Sequence, residues 1–354
     1  MPAQRSSTAR SRLVAAITEE ILSRNELNAF TIASEHQLCR RFNLSRVTVR
    51  LALSDLENRG LIYRKHGKGT FAHGQSTRSH RYLGILMKRP ATAGDRPIMD
   101  MLRGAQCVMS ALRSATLIIG NSPAEWRPEK ASSLGGVIVI PEDVTENDLQ
   151  VIRDRNLPYL IFAESDLPGP NIILGQRTAA RRLTEQLLQL GHRNIVVMSG
   201  YNPTLDAAKR KGVHDALCEA GLNPNDVIEV STRGEESAVY QLSREILQMK
   251  PRPTAVIAFD DTYGAMVRYQ AIRKDGLSIP ANLSIVTFHD WPFFNCFIPE
   301  LTRARFDFHA AGRAAAEALS RAALTGDPVS NIEFTPTYFP GETVGPPPAQ
   351  SAVA

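Results

Sequence analysis

The spacing of apolar positions changes twice along the chain and divides it into three kinds of structure. In the first sixty residues apolar side chains recur at intervals of three and four. Leu13, Ile17 and Ile21 form one such row, Leu38 and Phe42 a second, and Val49, Leu53 and Leu56 a third. Each is the inward stripe of an amphipathic helix. Ser34 followed by Gln37 is a capping box that opens the second helix. Asn43-Leu44 breaks it, Ser45 caps the third, and Gly60 ends the third. The period then becomes two: Leu61–Lys65 and Thr70–Ala72 predict a hairpin, with His66-Gly67-Lys68-Gly69 as its turn. From Tyr82 onward, continuous apolar runs alternate with helical patterns. Strands are predicted at Leu83–Met87, Thr116–Ile119, Gly136–Ile140, Tyr159–Phe162, Asn194–Met198, Ala255–Phe259 and Ser284–Phe288. Helices are predicted at Met99–Leu112, Thr178–Leu190, Ala207–Ala220, Glu236–Met249, Tyr263–Lys274 and Ala310–Leu324. Apolar strands each followed by a helix form a buried parallel sheet. So many units exceed one small sheet and fit two doubly wound lobes. The fold class is α/β, preceded by three helices and a wing.

The solvent face of the third helix carries Arg46, Thr48 and Arg50, and the hairpin tip carries Lys65, His66 and Lys68. Two short helices, a tight turn and a basic wing suit insertion of one helix into the DNA major groove, with the wing on phosphates or the minor groove. Helix-turn-helix shapes also occur in domains that bind only protein, and arginines on a helix often form a plain solvated face. Charge separates these readings. Residues 1–81 hold 14 Lys+Arg against 6 Asp+Glu, net +8; the whole chain holds 41 and 36, leaving 27 and 30, net −3. The positive field is confined to the N-terminal part, as for a DNA reader joined to a neutral sensor.

Three motifs here resemble the winged helix-turn-helix of GntR-type regulators, over roughly residues 9 to 74. They are Ala33-Ser34-Glu35-His36-Gln37-Leu38, Leu44-Ser45-Arg46-Val47-Thr48-Val49-Arg50 and the wing from Gly60 to Phe71. The resemblance implies DNA contacts from Arg46, Thr48, Arg50, His66 and Gly67. With Ser45, Lys65, Lys68 and His36, which stands where the family has arginine, these are the candidate DNA-binding residues.

A chain of 354 residues is long for one domain. The divisions expected are a DNA-binding domain over 1–75, a polar linker over 76–81, an effector-binding domain over 82–345 and a disordered tail over 346–354. No apolar run approaches the roughly 20 residues needed to span a bilayer, and the first residues lack an apolar signal segment. Cys39, Cys107, Cys218 and Cys296 are scattered without a C-x-x-C pattern, which suits a reducing cytoplasm rather than a disulfide framework or metal site. No cofactor is expected. Gly67-Lys68-Gly69-Thr70 lacks the spacing of a P-loop, and G-x-S-x-G, H-E-x-x-H and the dinucleotide glycine fingerprint do not occur, so an enzyme is not indicated.

Further along, Gln189-Leu190-Gly191-His192-Arg193-Asn194-Ile195 resembles the entry to the second lobe of LacI-type regulators. Lys209-Arg210-Lys211-Gly212, Phe259-Asp260-Asp261, Ile279–Val286 and Pro299-Glu300-Leu301-Thr302 follow in that family's order. The resemblance spans about residues 82 to 340. It implies a two-lobed, periplasmic-binding-protein-like sensor with ligand between the lobes, in an arabinose-repressor-like arrangement. Strand ends in open α/β sheets collect ligands, which gives Glu164, Lys209, Asp261, His289 and Trp291 as effector-binding candidates. Four of them have a plainer role open: Asp261 as cap of the helix from Thr262, Trp291 as packing between lobes, Lys209 and Glu164 as solvated surface. The family's arginine is Lys209 here and its sugar-binding aspartate is His289. The segment between Thr116 and Gly136 is short, so one wall of the cleft differs from the family's. The expected protein is a ligand-responsive transcription regulator, a repressor of carbohydrate-related genes. Its expected partners are operator DNA, a small sugar-like effector and a second copy in a homodimer, with no membrane partner. The alternative is a sugar-binding protein or sugar-acting enzyme whose N-terminal domain does not read DNA.

Overall fold

The structure is a computed structural model, and it describes residues 2–24, 29–58, 61–65, 68–72, 82–90, 95–112, 114–200, 203–233, 235–289 and 298–349. The N-terminal part joins α1 (Pro2–Ser23), α2 (Glu35–Phe42) and α3 (Arg46–Asn58) to β1 (Phe30–Thr31), β2 (Ile62–Lys65) and β3 (Gly69–Ala72). The three rows read from the sequence meet in one core of Leu13, Ile17, Ile21, Leu38, Val49, Leu53 and Leu56. The capping box is present. The Gln37 amide N–H donates to Ser34 Oγ at 3.3 Å and the Ser34 N–H to Gln37 Oε1 at 2.8 Å. Asn43 closes α2 in the left-handed region, φ 50°, and Ser45 Oγ accepts the Thr48 N–H at 3.2 Å. β1, too short to carry a pattern, pairs antiparallel with β3 and buries Phe30. The stop at Gly60, and His66 and Gly67 of the wing, lie outside the described residues.

One six-stranded sheet has the order β14-β8-β7-β6-β4-β5, from β4 (Tyr82–Leu86), β5 (Thr116–Ile119), β6 (Leu134–Val139), β7 (Tyr159–Phe162), β8 (Asn171–Ile173) and β14 (Ile332–Glu333). All of its ladders are parallel. The other has the order β10-β9-β11-β12-β13-β15, from β9 (Ile195–Ser199), β10 (Ile228–Ser231), β11 (Ala255–Ala258), β12 (Ser284–Phe288), β13 (Thr302–Arg305) and β15 (Thr337–Phe339). It is parallel except for β15. The first lobe carries α4 (Arg96–Ala111), α5 (Pro128–Ser132) and α6 (Glu146–Asp154). The second carries α7 (Gln176–Gln189), α8 (Pro203–Glu219), α9 (Glu236–Gln248) and α10 (Asp261–Arg273). The chain then returns to the first lobe through α11 (Phe308–Thr325), which lies along α4, adds β14 there, and returns again to give β15. Elements of two to five residues (β8, β10, β13, β14, β15, α5) were not foreseen, nor was the nine-residue α6. The short segment after β5 holds a 3₁₀ turn (Pro123–Glu125) and α5 around a buried Trp126. Pro346–Ala349, expected to be disordered, is placed as coil with Pro347 beside Gly191.

The α4–α11 contact is close because glycines face each other's backbone. A Cβ on Gly104 would stand 1.9 Å from the His309 carbonyl oxygen, and one on Gly312 would stand 1.8 Å from that of Met101. Neither neighbour is a side chain that can turn away. Gly312→Ala is expected to force these helices apart and destabilise the first lobe by roughly 1–3 kcal/mol, the usual range for overpacking. Urea denaturation with an unchanged midpoint would contradict this close fit.

Candidate DNA-reading face and sensor cleft

On α3, residues 49, 52, 53 and 56 face the core, whereas Arg46, Val47, Arg50, Leu51 and Ser54 are exposed on the other side. Thr48 is half-buried, and its hydroxyl shares a hydrogen bond with that of Ser45 at 2.9 Å. Both residues therefore form the helix entry rather than its outer face. Arg50 Nε donates to Glu35 at 3.0 Å. Arg64 on β2 reaches the same carboxylate at 3.9 Å and Glu57 at 3.4 Å. Exposed pairs of this kind contribute at most about 1 kcal/mol, but they aim both guanidinium groups along one side of the reader. His36, Lys65 and Lys68 are all exposed. Glu35 and Arg64 escaped the sequence reading because a pairing across three elements leaves no local signature.

Between the lobes lies a cavity of about 720 Å³ lined by Arg96, Met99 and Arg103 of α4, by Asp260, Asp261 and His289, and by the crossover Arg305–His309. Its floor is built at the ends of β11 and β12. Asp260 caps α10, accepting the Thr262 N–H at 2.8 Å, so the cap role left open for Asp261 falls to its neighbour. Asp261, 1 % exposed, faces the opposite lobe. There Arg89 holds the buried Asp95 through two bonds, of 2.7 and 2.5 Å, which fixes the start of α4. The next residue, Arg96, spans the cleft: its Nη2 donates to Asp260 at 2.9 Å, Asp261 at 3.1 Å and the Thr262 hydroxyl at 2.5 Å.

Lys209 is neither solvated nor in the cavity wall. It is 1 % exposed beneath the floor, donating to the Phe259 carbonyl at 2.8 Å and reaching Asp206 at 3.4 Å and His289 Nε2 at 3.3 Å. Burial lowers its pKa, while the charges of Asp206 and Asp260 resist that shift. Burial likewise raises Asp206, against the pull of Lys209 and a bond from the Gly200 N–H. His289 sits in the left-handed region, φ 76°. Burial first, and then the Lys209 charge, push its pKa down to about 3, so the ring is neutral near pH 7. Because ammonium can only donate, His289 Nε2 accepts, and the ring proton is on Nδ1. That atom has no hydrogen-bond partner among the described residues, on a side chain lining the cavity. Burial raises the Asp260 carboxyl, but the charges of His289 and Arg96 and bonds from Thr262 hold it below its ordinary range. With His289 neutral, Arg96 is the charge that does so at pH 7.

Phe306 and Phe308 form an aromatic wall beside His289, with ring centroids 5.6 and 5.3 Å from the imidazole. Phe306 in turn stacks on Phe288. Their alternation around Asp307 was the available sequence signal. Of the remaining expected residues, one is undescribed and one lies elsewhere. Trp291 lies outside the described residues. Glu164 is absent from the cavity lining and takes the backbone N–H groups of Gly175 and Gln176 at the start of α7; burial raises its pKa against those bonds.

A basic three-helix reader with a wing, followed by two doubly wound lobes around a polar cleft, defines a DNA-binding protein with a ligand sensor. The family model for bacterial regulatory proteins of the gntR family matches residues 9–72, and that for a periplasmic binding protein-like domain matches residues 184–344. The chain is 25 % identical over 309 residues, 81 % of this chain and 84 % of the relative, to an arabinose metabolism transcriptional repressor of Geobacillus stearothermophilus. It is 30 % identical over 237 residues to the HTH-type transcriptional regulator GalS of Salmonella typhimurium, covering 62 % and 68 % of the two chains. A LacI family transcriptional regulator from Enterococcus faecium, solved with bound ribose, shares the fold at TM-score 0.64 and 18 % identity, over 75 % of this chain and 99 % of that one. The chain belongs to the family of transcription regulators that join a GntR-type winged helix-turn-helix to a LacI-type, periplasmic-binding-protein-like sensor.

The neutral His289 makes the sensor acid-sensitive. Its folded pKa lies below the ordinary histidine value of 6.5, so between pH 6.5 and about 3 the unfolded chain binds the extra proton and stability falls with falling pH. The loss is on the order of 2 kcal/mol from pH 6.5 to 5, at about 1.4 kcal/mol per pH unit. His289→Asn is expected to flatten the melting temperature over that interval. An identical slope in the variant would place the acid sensitivity elsewhere.

Proposed function

We propose that the protein is a homodimeric cytoplasmic repressor of carbohydrate-related genes. α3 reads the operator, and a small polyhydroxylated effector in the cleft sets its affinity. The observation that carries the effector reading is a cavity between the lobes lined by the carboxylates of Asp260 and Asp261, by His289 and by the rings of Phe306 and Phe308. Carboxylates accept hydroxyls, the imidazole N–H donates to a ring or hydroxyl oxygen, and an aromatic face covers the apolar side of a sugar. A volume of about 720 Å³ is in the usual range for small-molecule sites. Effector contacts are assigned to Asp260, Asp261, His289, Phe306 and Phe308. Lys209 holds His289 from below, and Arg96 exchanges carboxylate contacts with the ligand. Lobe closure follows only as far as the ligand binds one arrangement better than the other.

On DNA, Arg46 and Arg50 make base or phosphate contacts and Lys65 and Lys68 phosphate contacts; His66 and Gly67, outside the described residues, are proposed contacts as well. Ser45 and Thr48 set the helix start, and His36 flanks it. One reader spans half a site, which supports a dimer, as do the exposed Leu112 and Ile118 of the first lobe. α11 supplies a route between the two functions. Phe308 and His309 at its start line the cavity, and Leu324 near its end packs on the reader's core.

Arg46→Ala is expected to weaken operator binding by roughly 1–3 kcal/mol with little effect on random DNA, whereas Lys68→Ala weakens both alike. Gel-shift titrations at several salt concentrations check this; equal losses on both DNAs for Arg46→Ala would remove it from base reading. Asp261→Asn is expected to abolish the response of operator binding to sugars while the sugar-free affinity stays within about twofold. A sugar response surviving in that variant would exclude Asp261 from the site. Full-length protein without salt-sensitive DNA binding would favour a sugar-binding protein over a regulator.

A further inference from the structure

The exposed face of α3 is not uniformly polar. Among the described residues of the N-terminal part, the large apolar side chains most open to solvent are Val47, 68 % exposed, and Leu51, 44 % exposed. They stand one helical turn apart on the same side. Beside them runs a parallel column of Arg46 and Arg50, and the core-facing positions 49, 52, 53 and 56 lie on the opposite side. A helix held only by its own core gains nothing from such a pair in water, because exposed apolar surface carries a cost of about 25 cal/mol per Å². The arginine column beside the pair, on a reader of net positive charge, suits a polyanion and disfavours an apolar protein face.

We infer that Val47 and Leu51 are specificity-determining residues that recognise thymine methyl groups in the major groove. The groove edge of an A·T pair offers one apolar feature, the C5-methyl of thymine, and apolar side chains recognise it by contact. Residues four apart on a helix are about 6 Å apart along its axis, close to two base steps of about 3.4 Å each. The two side chains therefore meet methyl groups at positions separated by one intervening base pair. The arginines supply attraction and contacts to phosphate or guanine, while Val47 and Leu51 select where along the duplex the helix settles. This inference rests on the reading of α3 as the groove-entering helix, but it concerns which base feature is recognised.

The test uses the full-length protein and a site that it selects from random duplex DNA. Each thymine of that site is replaced in turn by deoxyuridine, which removes only the methyl group and keeps every hydrogen bond. Two such replacements per half-site, separated by one position, are expected to weaken binding roughly fourfold each, the equivalent of about 0.8 kcal/mol per buried CH₂. In Val47→Ser one of these penalties disappears, and in Leu51→Ser the other. Both changes lie on solvent-facing positions, and thermal melting checks that the fold is kept. If deoxyuridine is neutral everywhere in the site, or if the serine variants keep the full wild-type penalties, the inference is overturned. It is overturned as well if those variants change the oligomeric state while keeping the thymine preference, because the pair then belongs to a protein contact. Failure to select any site, with no salt-dependent binding, would instead overturn the DNA-reading function itself.

Discussion

Two consecutive carboxylates at the end of a buried strand are tolerable only if a cation comes to meet them. In this protein the cation comes from the other lobe. Arg96 reaches Asp260, Asp261 and Thr262 from the first turn of α4, so the pair that satisfies the floor of the cleft also ties its two walls together. Below it, Lys209 satisfies Asp206 and turns His289 into an acceptor. Separate buried charges thus act at one place: Arg89 with Asp95 at the start of α4, Arg96 across the lobes, and Lys209 beneath the imidazole. A ligand entering here exchanges polar contacts instead of filling a neutral space.

The residues to which effector contacts are proposed are also those that tie the two lobes together. Asp260, Asp261 and His289 line the cleft together with Phe306 and Phe308, where the chain passes between lobes. α11 begins at that crossing, packs along α4 through its glycine contacts, and ends beside the core of the reader. α11 thus touches both the cleft and the reader, the placement that the proposed coupling needs.

The reader follows the opposite rule. Its core is small and saturated by three rows of aliphatic side chains, and its function lies in what is left outside. Glu35 aligns Arg50 with Arg64, Ser45 and Thr48 close the helix start, and the remaining outer positions alternate charged with apolar. Thr48 shows how position on a helix outranks residue type: a hydroxyl in the first turn of a recognition helix is spent on the cap, whereas the neighbouring valine faces outward.

The helices of the reader, the hairpin and the principal strands of both lobes were legible in the sequence. Their signals are short-range, in apolar period, caps and turn residues, and such signals survive without knowledge of the fold. The short strands β1, β8, β10, β13, β14 and β15 were not, because a ladder partner rather than a pattern makes them strands. Asp261 and His289 were legible as cleft residues from their place at strand ends. Arg96 and Asp260 were not, although they form the contact that defines the cleft, because they stand 164 residues apart. Lys209 was found by its position in a motif, but its burial depended on how β11, β12 and α8 close over it. Sequence determined which segments fold and where positive charge gathers. Tertiary structure decided which charged groups meet, since the energy of a buried ion depends on partners that local periodicity cannot specify.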